Sequence, residues 1–447
     1  METMQVIALV IFLIAIGLII WGRIDRAVIG IMGAALMVLL GVMSETEAFM
    51  FVDWNIIAIL FGIWIIAAYF GKSGIPQYLA VTMFRISRHN IALFIVLLGG
   101  ISAFISMFVD NVVVILMMGP VVLHITQKLK MNSFPFLIFV GLSANFMGTA
   151  LLLGDLPPQM LHSISGIEFP EFIWQMGRPS SFPILALTYI LTAFWFYRFK
   201  FRKMYAGATV NNTAVGEISA TRPADYIKNK KLAATVIVVF LATILAMAFR
   251  QFTGLHLGFI SLTGMIVLVL IMEVFRSKLD SPSFEEIIGA LDWRAIFFYI
   301  TLFVLVGGIN HAGIIKMIAD ALASGIQDNP VLGTTAVYWI TAPIAGIVEH
   351  DAYILAFLYL IRDFAASANI SPWPMWWAIL WAGTLGSNLT IAGAPALIVA
   401  QNMCEKADSC RIGMRQFFSY TVPFVIITLT ICFVLALFIW IIPFAAG

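Results

Sequence analysis

Charge is what this sequence has least of. Asp, Glu, Lys and Arg make up 11% of the 447 residues, against about 25% in an ordinary soluble domain. Hydrophobic residues reach 62% and fall in blocks of 16 to 24, which excludes a soluble globular protein and indicates a multi-pass membrane protein. The net charge is +2 with no basic stripe carrying interleaved aromatics, so nucleic acid is not an expected partner. Three cysteines, Cys404, Cys410 and Cys432, are too few and too scattered for a disulfide framework or a zinc site. No His-Glu-x-x-His, phosphate loop or nucleotide fold occurs, so no cofactor is expected and an ATP-driven pump would need a separate ATPase partner. The first apolar block has Glu2 before it rather than basic residues and no small-residue cleavage site after it, and it reads as a retained span.

The fold class expected is all-α: about ten transmembrane helices plus two re-entrant hairpins. Full spans are expected near 4–21, 27–43, 55–70, 134–153 and 182–197, then near 232–249, 255–275, 295–310, 373–393 and 420–443. Two further apolar stretches, 91–126 and 333–361, are interrupted at their midpoints by charged or amide residues. Arg23, Arg26, Lys72, Arg85, Arg88, Lys128 and Lys130 lie in loops that should be cytoplasmic, whereas the loop after the second span carries Glu45, Glu47 and Asp53. Both ends of stretch 91–126 are then cytoplasmic, which makes it a hairpin with Asp110 and Asn111 at its tip. Both termini are expected outside the cytoplasm of a bacterial inner membrane. Residues 198–231, with eight basic and two acidic residues, form a cytoplasmic linker between halves 1–197 and 232–447.

The halves repeat at one ungapped offset of 239 residues. It carries Asp53-Trp54 onto Asp292-Trp293, Gly74-Ile75 onto Gly313-Ile314, Ile105–Leu116 onto Ile344–Leu355, and Leu152–Pro158 onto Ile391–Leu397. With five crossings each, an odd number, the halves are inverted relative to one another. Inverted repeats with helices broken at mid-membrane are the architecture of secondary transporters. Unwound backbone at that depth must be buried in protein or line a watery cavity, so the breaks should converge on one site.

Four clusters fall at these breaks: Ser106, Asp110 and Asn111; Asn145, Thr149, Gly154, Asp155, Pro157 and Pro158; Glu349, His350 and Asp351; and Ser387, Asn388, Thr390, Gly393 and Pro395. Ser106, Asp110, Asn111, Asn145, Thr149, Asp155, Ser387, Asn388 and Thr390 are the candidate ion-binding residues. Gly154, Pro157, Gly393 and Pro395 are expected to break the helices and free backbone groups for a ligand. A carboxylate at the bilayer centre costs roughly 3 kcal/mol unless paired or hydrated, so Asp110 reads as a cation ligand or proton carrier, with sodium at Asp110 and Asn111 as one assignment; the alternative is a carboxyl that only terminates a half-helix. Glu349, His350 and Asp351, with Asp110, are the proton-coupling candidates, because imidazole changes charge near neutral pH; as a sequence alone the triplet also fits an external loop. Trp373, Trp376, Trp377 and Trp381 are expected to form an interfacial belt. No Lys or Arg occurs within the clusters, so a cation, or a neutral hydroxide exchanged for protons, fits better than a dianion.

Ser106–Val122, Gly148–Pro158 and Gly386–Ala400 resemble the corresponding motifs of the ion transporter superfamily, most of all its arsenite/antimonite efflux permeases, related sodium/proton antiporters and the melanosomal P protein. The resemblance covers the whole chain. It implies a transporter rather than an enzyme, often a homodimer, moving a small inorganic ion through the bilayer by proton-coupled antiport, with Asp110, Asn111, Thr149, Asp155, Asn388 and Thr390 in the binding region. Sodium-coupled carboxylate symport is the alternative within that superfamily. The sequence departs from the pattern at Glu349-His350-Asp351, where relatives commonly carry Asp-Asn, and at Leu156 within Gly-Asp-Pro-Pro. Two readings outside the class, a channel and an intramembrane aspartyl protease built on Asp110 and Asp155, leave the repeat unexplained.

Overall fold

The apolar blocks become helices, and the polar residues between them serve as their caps. A computed structural model describes residues 3–206, 222–327 and 329–445, so the middle of the expected linker, 207–221, lies outside the described residues. In the first half run α1 (Thr3–Trp21), α2 (Arg26–Leu39), α3 (Glu45–Phe51), α4 (Trp54–Lys72), α5 (Ile75–Ile86), α6 (Ile91–Ser106), α7 (Asn111–Leu129), α8 (Phe134–Met147), α9 (Leu156–Ser165) and α10 (Ser181–Trp195). In the second run α11 (Lys230–Ala248), α12 (Leu257–Val274), α13 (Phe284–Gly289), α14 (Trp293–His311), α15 (Ile314–Gln327), α16 (Pro330–Ala345), α17 (His350–Ala368), α18 (Trp373–Ser387), α19 (Pro395–Asp408) and α20 (Met414–Ala436). Among the described residues eight helices are long and apolar enough to cross a membrane. A helix such as α4, with 19 residues, spans about 28 Å at 1.5 Å per residue, close to the hydrocarbon thickness.

The repeat extends to helix ends and caps. Helices α4, α6 and α7 recur as α14, α16 and α17 with both boundaries displaced by 239 residues. Asp53 caps α4 by accepting from the Ile56 amide at 3.1 Å, and Asp292 caps α14 through the Ala295 amide at 3.3 Å. The Trp54 indole donates to the Phe49 carbonyl and the Trp293 indole to the Ile288 carbonyl, at 3.1 and 3.0 Å. Asn90 and Asn329 cap α6 and α16 in the same way. The protein is thus an all-α, multi-pass membrane protein of two equivalent halves, with the exception of one small ribbon. That ribbon pairs β1 (Trp174–Gln175) antiparallel with β2 (Arg178–Pro179).

Helix α6 lies along α8 and α16 along α18, and the second arms of the hairpins pack across the halves, α7 on α19 and α17 on α9. This interleaving buries every residue of α8 and all of α18 but its first, Trp373, which is half-buried. It also overturns one expectation. Trp376, Trp377 and Trp381 are core residues, not an interfacial belt: Trp377 and Trp381 are 0% exposed and stack with centroids 5.3 Å apart. Their indole N–H groups are satisfied internally, Trp376 by the Leu358 carbonyl, Trp377 by Gln175 Oε1 on β1, and Trp381 by Ser181 Oγ. A buried tryptophan keeps its donor paired in this way.

Candidate functional site

Each hairpin breaks over four residues. Between α6 and α7 the chain is non-helical at 107–110, and between α16 and α17 at 346–349. The last residue of each break is acidic, and it caps the helix that follows. Asp110 Oδ1 accepts from the amides of Val112 and Val113 at 2.9 and 3.3 Å. Glu349 Oε2 accepts from the amides of Asp351 and Ala352 at 3.1 and 3.4 Å. An acid is favoured there because the first amides of a helix lack backbone partners and carry partial positive charge.

The spans expected at 134–153 and 373–393 are discontinuous. Helix α8 stops at Met147 and α9 starts after the cap Asp155, whose Oδ1 accepts from the Leu156 amide at 2.9 Å. Pro157 and Pro158 open α9, and Pro395 opens α19, instead of ending the helices before them. Proline suits that first turn because its fixed φ is helical and its missing N–H would be unpaired there anyway. The glycines do the close work. A Cβ on Gly154 would lie 2.2 Å from the Ser106 carbonyl oxygen and 2.5 Å from that of Gly148. A Cβ on Gly393 would lie 2.6 Å from the carbonyl oxygens of Ala345 and Ser387, the residues equivalent to Ser106 and Gly148. Each unwound segment therefore runs against the end of its own half's hairpin with no room for a side chain.

The breaks meet. Asn111 donates from Nδ2 to Asn145 Oδ1 and to Asp155 Oδ2, both at 2.9 Å. Asn145 donates to Ser387 Oγ at 3.0 Å, and Thr149 donates to Thr384 Oγ1 at 2.8 Å, which joins the two discontinuous spans. From the other hairpin His350 Nδ1 contacts the Gly393 carbonyl at 2.9 Å, while its Nε2 faces Asp351 Oδ1 at 3.3 Å and Asp155 Oδ2 at 4.0 Å. One ligand atom from each of Glu349, His350 and Asp351, a ring nitrogen and two carboxylate oxygens, lies within 4.8 Å of the others. Asp110, Asp155, Glu349, His350 and Asp351 are each less than 5% exposed. The triplet 349–351 is thus buried at the site and is not an external loop.

Three candidates stand at the margin. Ser106 Oγ and Asn388 Oδ1 are buried without a hydrogen-bond partner among the described residues. Thr390 donates to the Gly346 carbonyl at 2.5 Å and so ties the second break to the second hairpin. Asp110 and Asn111, neighbours in sequence, serve different surroundings: Asn111 holds Asn145 and Asp155, while Asp110 lines a cavity of about 320 Å³ with Trp64, Asp292 and Tyr299.

Arg26 is a residue that sequence reasoning did not place at the breaks but the structure does. It starts α2, yet its Nη1 reaches Glu349 Oε1 at 3.2 Å, 323 positions away, and its guanidinium sits 4.7 Å from the centroid of the Phe298 ring. Arg26 and Glu349 both line a second cavity, of about 620 Å³, together with Asp292, Arg294 and Asn402. The two cavities share Val112, Asp292 and Ala295 and end on the two hairpin tips. Arg26 reads in sequence as one more loop cation beside Arg23; the one local sign is its place at the first turn of an apolar helix, where a cation opposes the helix dipole.

The sequence profile of the citrate transporter family, CitMHS, matches residues 16–382. An uncharacterized transporter of Mycobacterium tuberculosis is 25% identical over 448 residues, covering 98% of each chain. The human P protein is 22% identical over 511 residues, which take in 97% of this chain and 60% of the longer human one. Among solved structures, the YdaH transporter of Alcanivorax borkumensis, described as having an unusual topology, superposes with a TM-score of 0.59 at 13% identity and covers 98% of both chains.

Proposed function

The chain belongs to the citrate transporter family, and from that membership we propose that it is a proton-coupled secondary transporter working by alternating access, with Asp155, His350 and Asp351 as the coupling site. The level of the ion transporter superfamily, including the likeness to the P protein, is the part of the sequence-based resemblance that the comparisons share; a link to arsenite or antimonite efflux belongs to the proposal alone.

One observation carries the reading. A carbonyl oxygen only accepts, so His350 Nδ1 must carry the hydrogen that faces the Gly393 carbonyl. In the neutral ring Nε2 is then a bare lone pair, and it faces Asp351 Oδ1 at 3.3 Å and Asp155 Oδ2 at 4.0 Å. Three acceptors with no proton among them repel in a dry site. A proton on His350 or on one carboxyl relieves this, and so does a small cation between them. Proton and cation therefore compete for the same acceptors, and such competition is the elementary requirement of antiport. Sodium is the simplest such cargo.

A second reading rests on Arg26. Its one hydrogen bond among the described residues is to Glu349, which leaves most of its five donors for the cavity of about 620 Å³. With the family's description as citrate transporters, that cation supports carboxylate movement coupled to the same acidic cluster. Lys72 lines the cavity of about 320 Å³, and Arg26 and Arg294 line that of about 620 Å³, which supports a cytoplasmic opening and termini on the opposite side of a bacterial inner membrane. Assembly as a homodimer is part of the same reading, and cross-linking in native membranes tests it.

The deciding experiment is a flux panel in everted vesicles bearing a pH gradient, with sodium, lithium, arsenite, antimonite, citrate and C4-dicarboxylates added in turn. One class of ion should collapse the gradient, and His350→Ala should flatten the pH dependence of that response. A response with the same pH profile in wild type and His350→Ala sinks the coupling assignment.

A further inference from the structure

Helices α4, α6 and α7 share their bounds with α14, α16 and α17, so unequal packing around these matched helices is a place to look for the state of the molecule. Several equivalent helix contacts differ, and one of the unequal pairs has a cavity between its helices in the second half. In the first half α9 packs on α4, and the contact is sealed by Ser163 of α9 donating to Asp53 Oδ2 at the cap of α4. Nearby, Arg250 donates to both carboxylate oxygens of Glu168, just beyond α9. In the second half the equivalent helices are α19 and α14. Between them lies the cavity of about 620 Å³, lined by Asp292, Arg294 and Ala295 on one side and by Pro395, Ile398, Val399 and Asn402 on the other. The contacts next to this pair do not differ: α7 packs on α4, and α17 packs on α14.

The repeat offset takes Asp53 to Asp292 and Ser163 to Asn402, and these two residues face the cavity from opposite walls. We infer that Asp292 and Asn402 form the closing contact of the opposite state, made when the Asp53–Ser163 contact opens. The amide of Asn402 supplies the N–H donor that the Ser163 hydroxyl supplies in the first half, so the same acceptor is served at both ends. In the present state Asp292 Oδ1 instead caps α14 and lies 3.7 Å from Arg294 Nε, and Arg294 lies 3.6 Å from Asp25. Closure therefore leaves the cap in place and uses the second carboxylate oxygen, as Asp53 does now. The asymmetry also fixes which access route is open here: the one that leads past Asp292 and Asn402 to Arg26 and Glu349.

This inference rests on the alternating-access reading but not on its proton coupling. The test uses the full-length chain in proteoliposomes with Cys404, Cys410 and Cys432 replaced, carrying either Asp53→Cys with Ser163→Cys or Asp292→Cys with Asn402→Cys. Oxidative bridging of either pair should stop transport, and conditions that raise the yield of one bridge should lower the other. Yields of the two bridges that rise together under the same conditions, or an inner pair that never bridges in a preparation that transports, overturn the gate. Because both aspartates cap helices, Asn402→Cys alone is the second measurement. Its reaction with a membrane-impermeant maleimide should fall when a pH gradient and whichever of sodium, lithium, arsenite, antimonite, citrate or C4-dicarboxylate collapses it drive turnover, and an unchanged rate overturns the gate as well. Transport that ignores the pH gradient while the bridges still trade off removes the coupling assignment and leaves the gate standing; coupled transport without a trade-off does the reverse.

Discussion

Replacing Arg26 with alanine separates the two halves' contributions to the ion pair because the partners are unequally buried. The Glu349 side chain is 3% exposed and that of Arg26 is 25% exposed. Removing one member of a buried pair typically costs about 3–5 kcal/mol, mostly for the charge left behind. Glu349 retains two amides at the start of α17, so Arg26→Ala should sit at the lower end, about 3 kcal/mol, or roughly a hundredfold in the folded-to-unfolded ratio. Glu349→Gln leaves the guanidinium, but that group already faces a cavity and its charge can be hydrated there; about 1 kcal/mol is expected. The double variant Arg26→Ala/Glu349→Gln should recover most of the loss, because no buried charge then lacks a partner. The measurement is reversible unfolding in mixed micelles for the wild type, both single variants and the double variant. If Glu349→Gln proves the more damaging single change, or if the double variant is no better than Arg26→Ala, the burial argument fails.

Gly154→Ala and Gly393→Ala each push a Cβ to 2.2–2.6 Å from backbone oxygens, and each should lose about 2 kcal/mol or more in detergent thermostability together with transport. Gly17→Ala in α1, where nothing lies within 4 Å of the added carbon, should be neutral or gain up to about 1 kcal/mol from helix propensity. Trp377→Phe removes a fully buried indole and the hydrogen bond to Gln175; a loss of about 2–3 kcal/mol and a changed near-ultraviolet circular dichroism spectrum are expected. A tryptophan of an interfacial belt would change little.

Much of the architecture was legible because the membrane leaves few options. Apolar runs give the spans, and a single offset gives the repeat. The convergence of the breaks that carry Asn111, Asp155 and the 349–351 triplet needed only the rule that unwound backbone cannot face lipid, whereas Asp110 lines a neighbouring cavity with Asp292 and Tyr299. What stayed hidden depends on long-range geometry. Arg26 belongs by sequence to a loop of ordinary cations, and only the packing of α2 against α14 carries it to Glu349. The tryptophans of α18 sit where a belt would, but the β1–β2 ribbon and α10 supply Gln175 and Ser181 as indole partners, and neither partner announces itself in sequence. Proline, a stop signal in sequence, serves here as a start, since the same missing N–H fits both ends of a break.

The matched halves also give the protein a built-in comparison. A substitution in α6, α7 or the first break can be paired with the same substitution 239 residues on, in a helix of the same length with the same kind of cap. Local propensity and cap chemistry are then shared by the two variants. Whatever difference remains between their phenotypes measures how unequally the membrane's two sides are connected to the centre, and it does so without a ligand, a partner or a second protein.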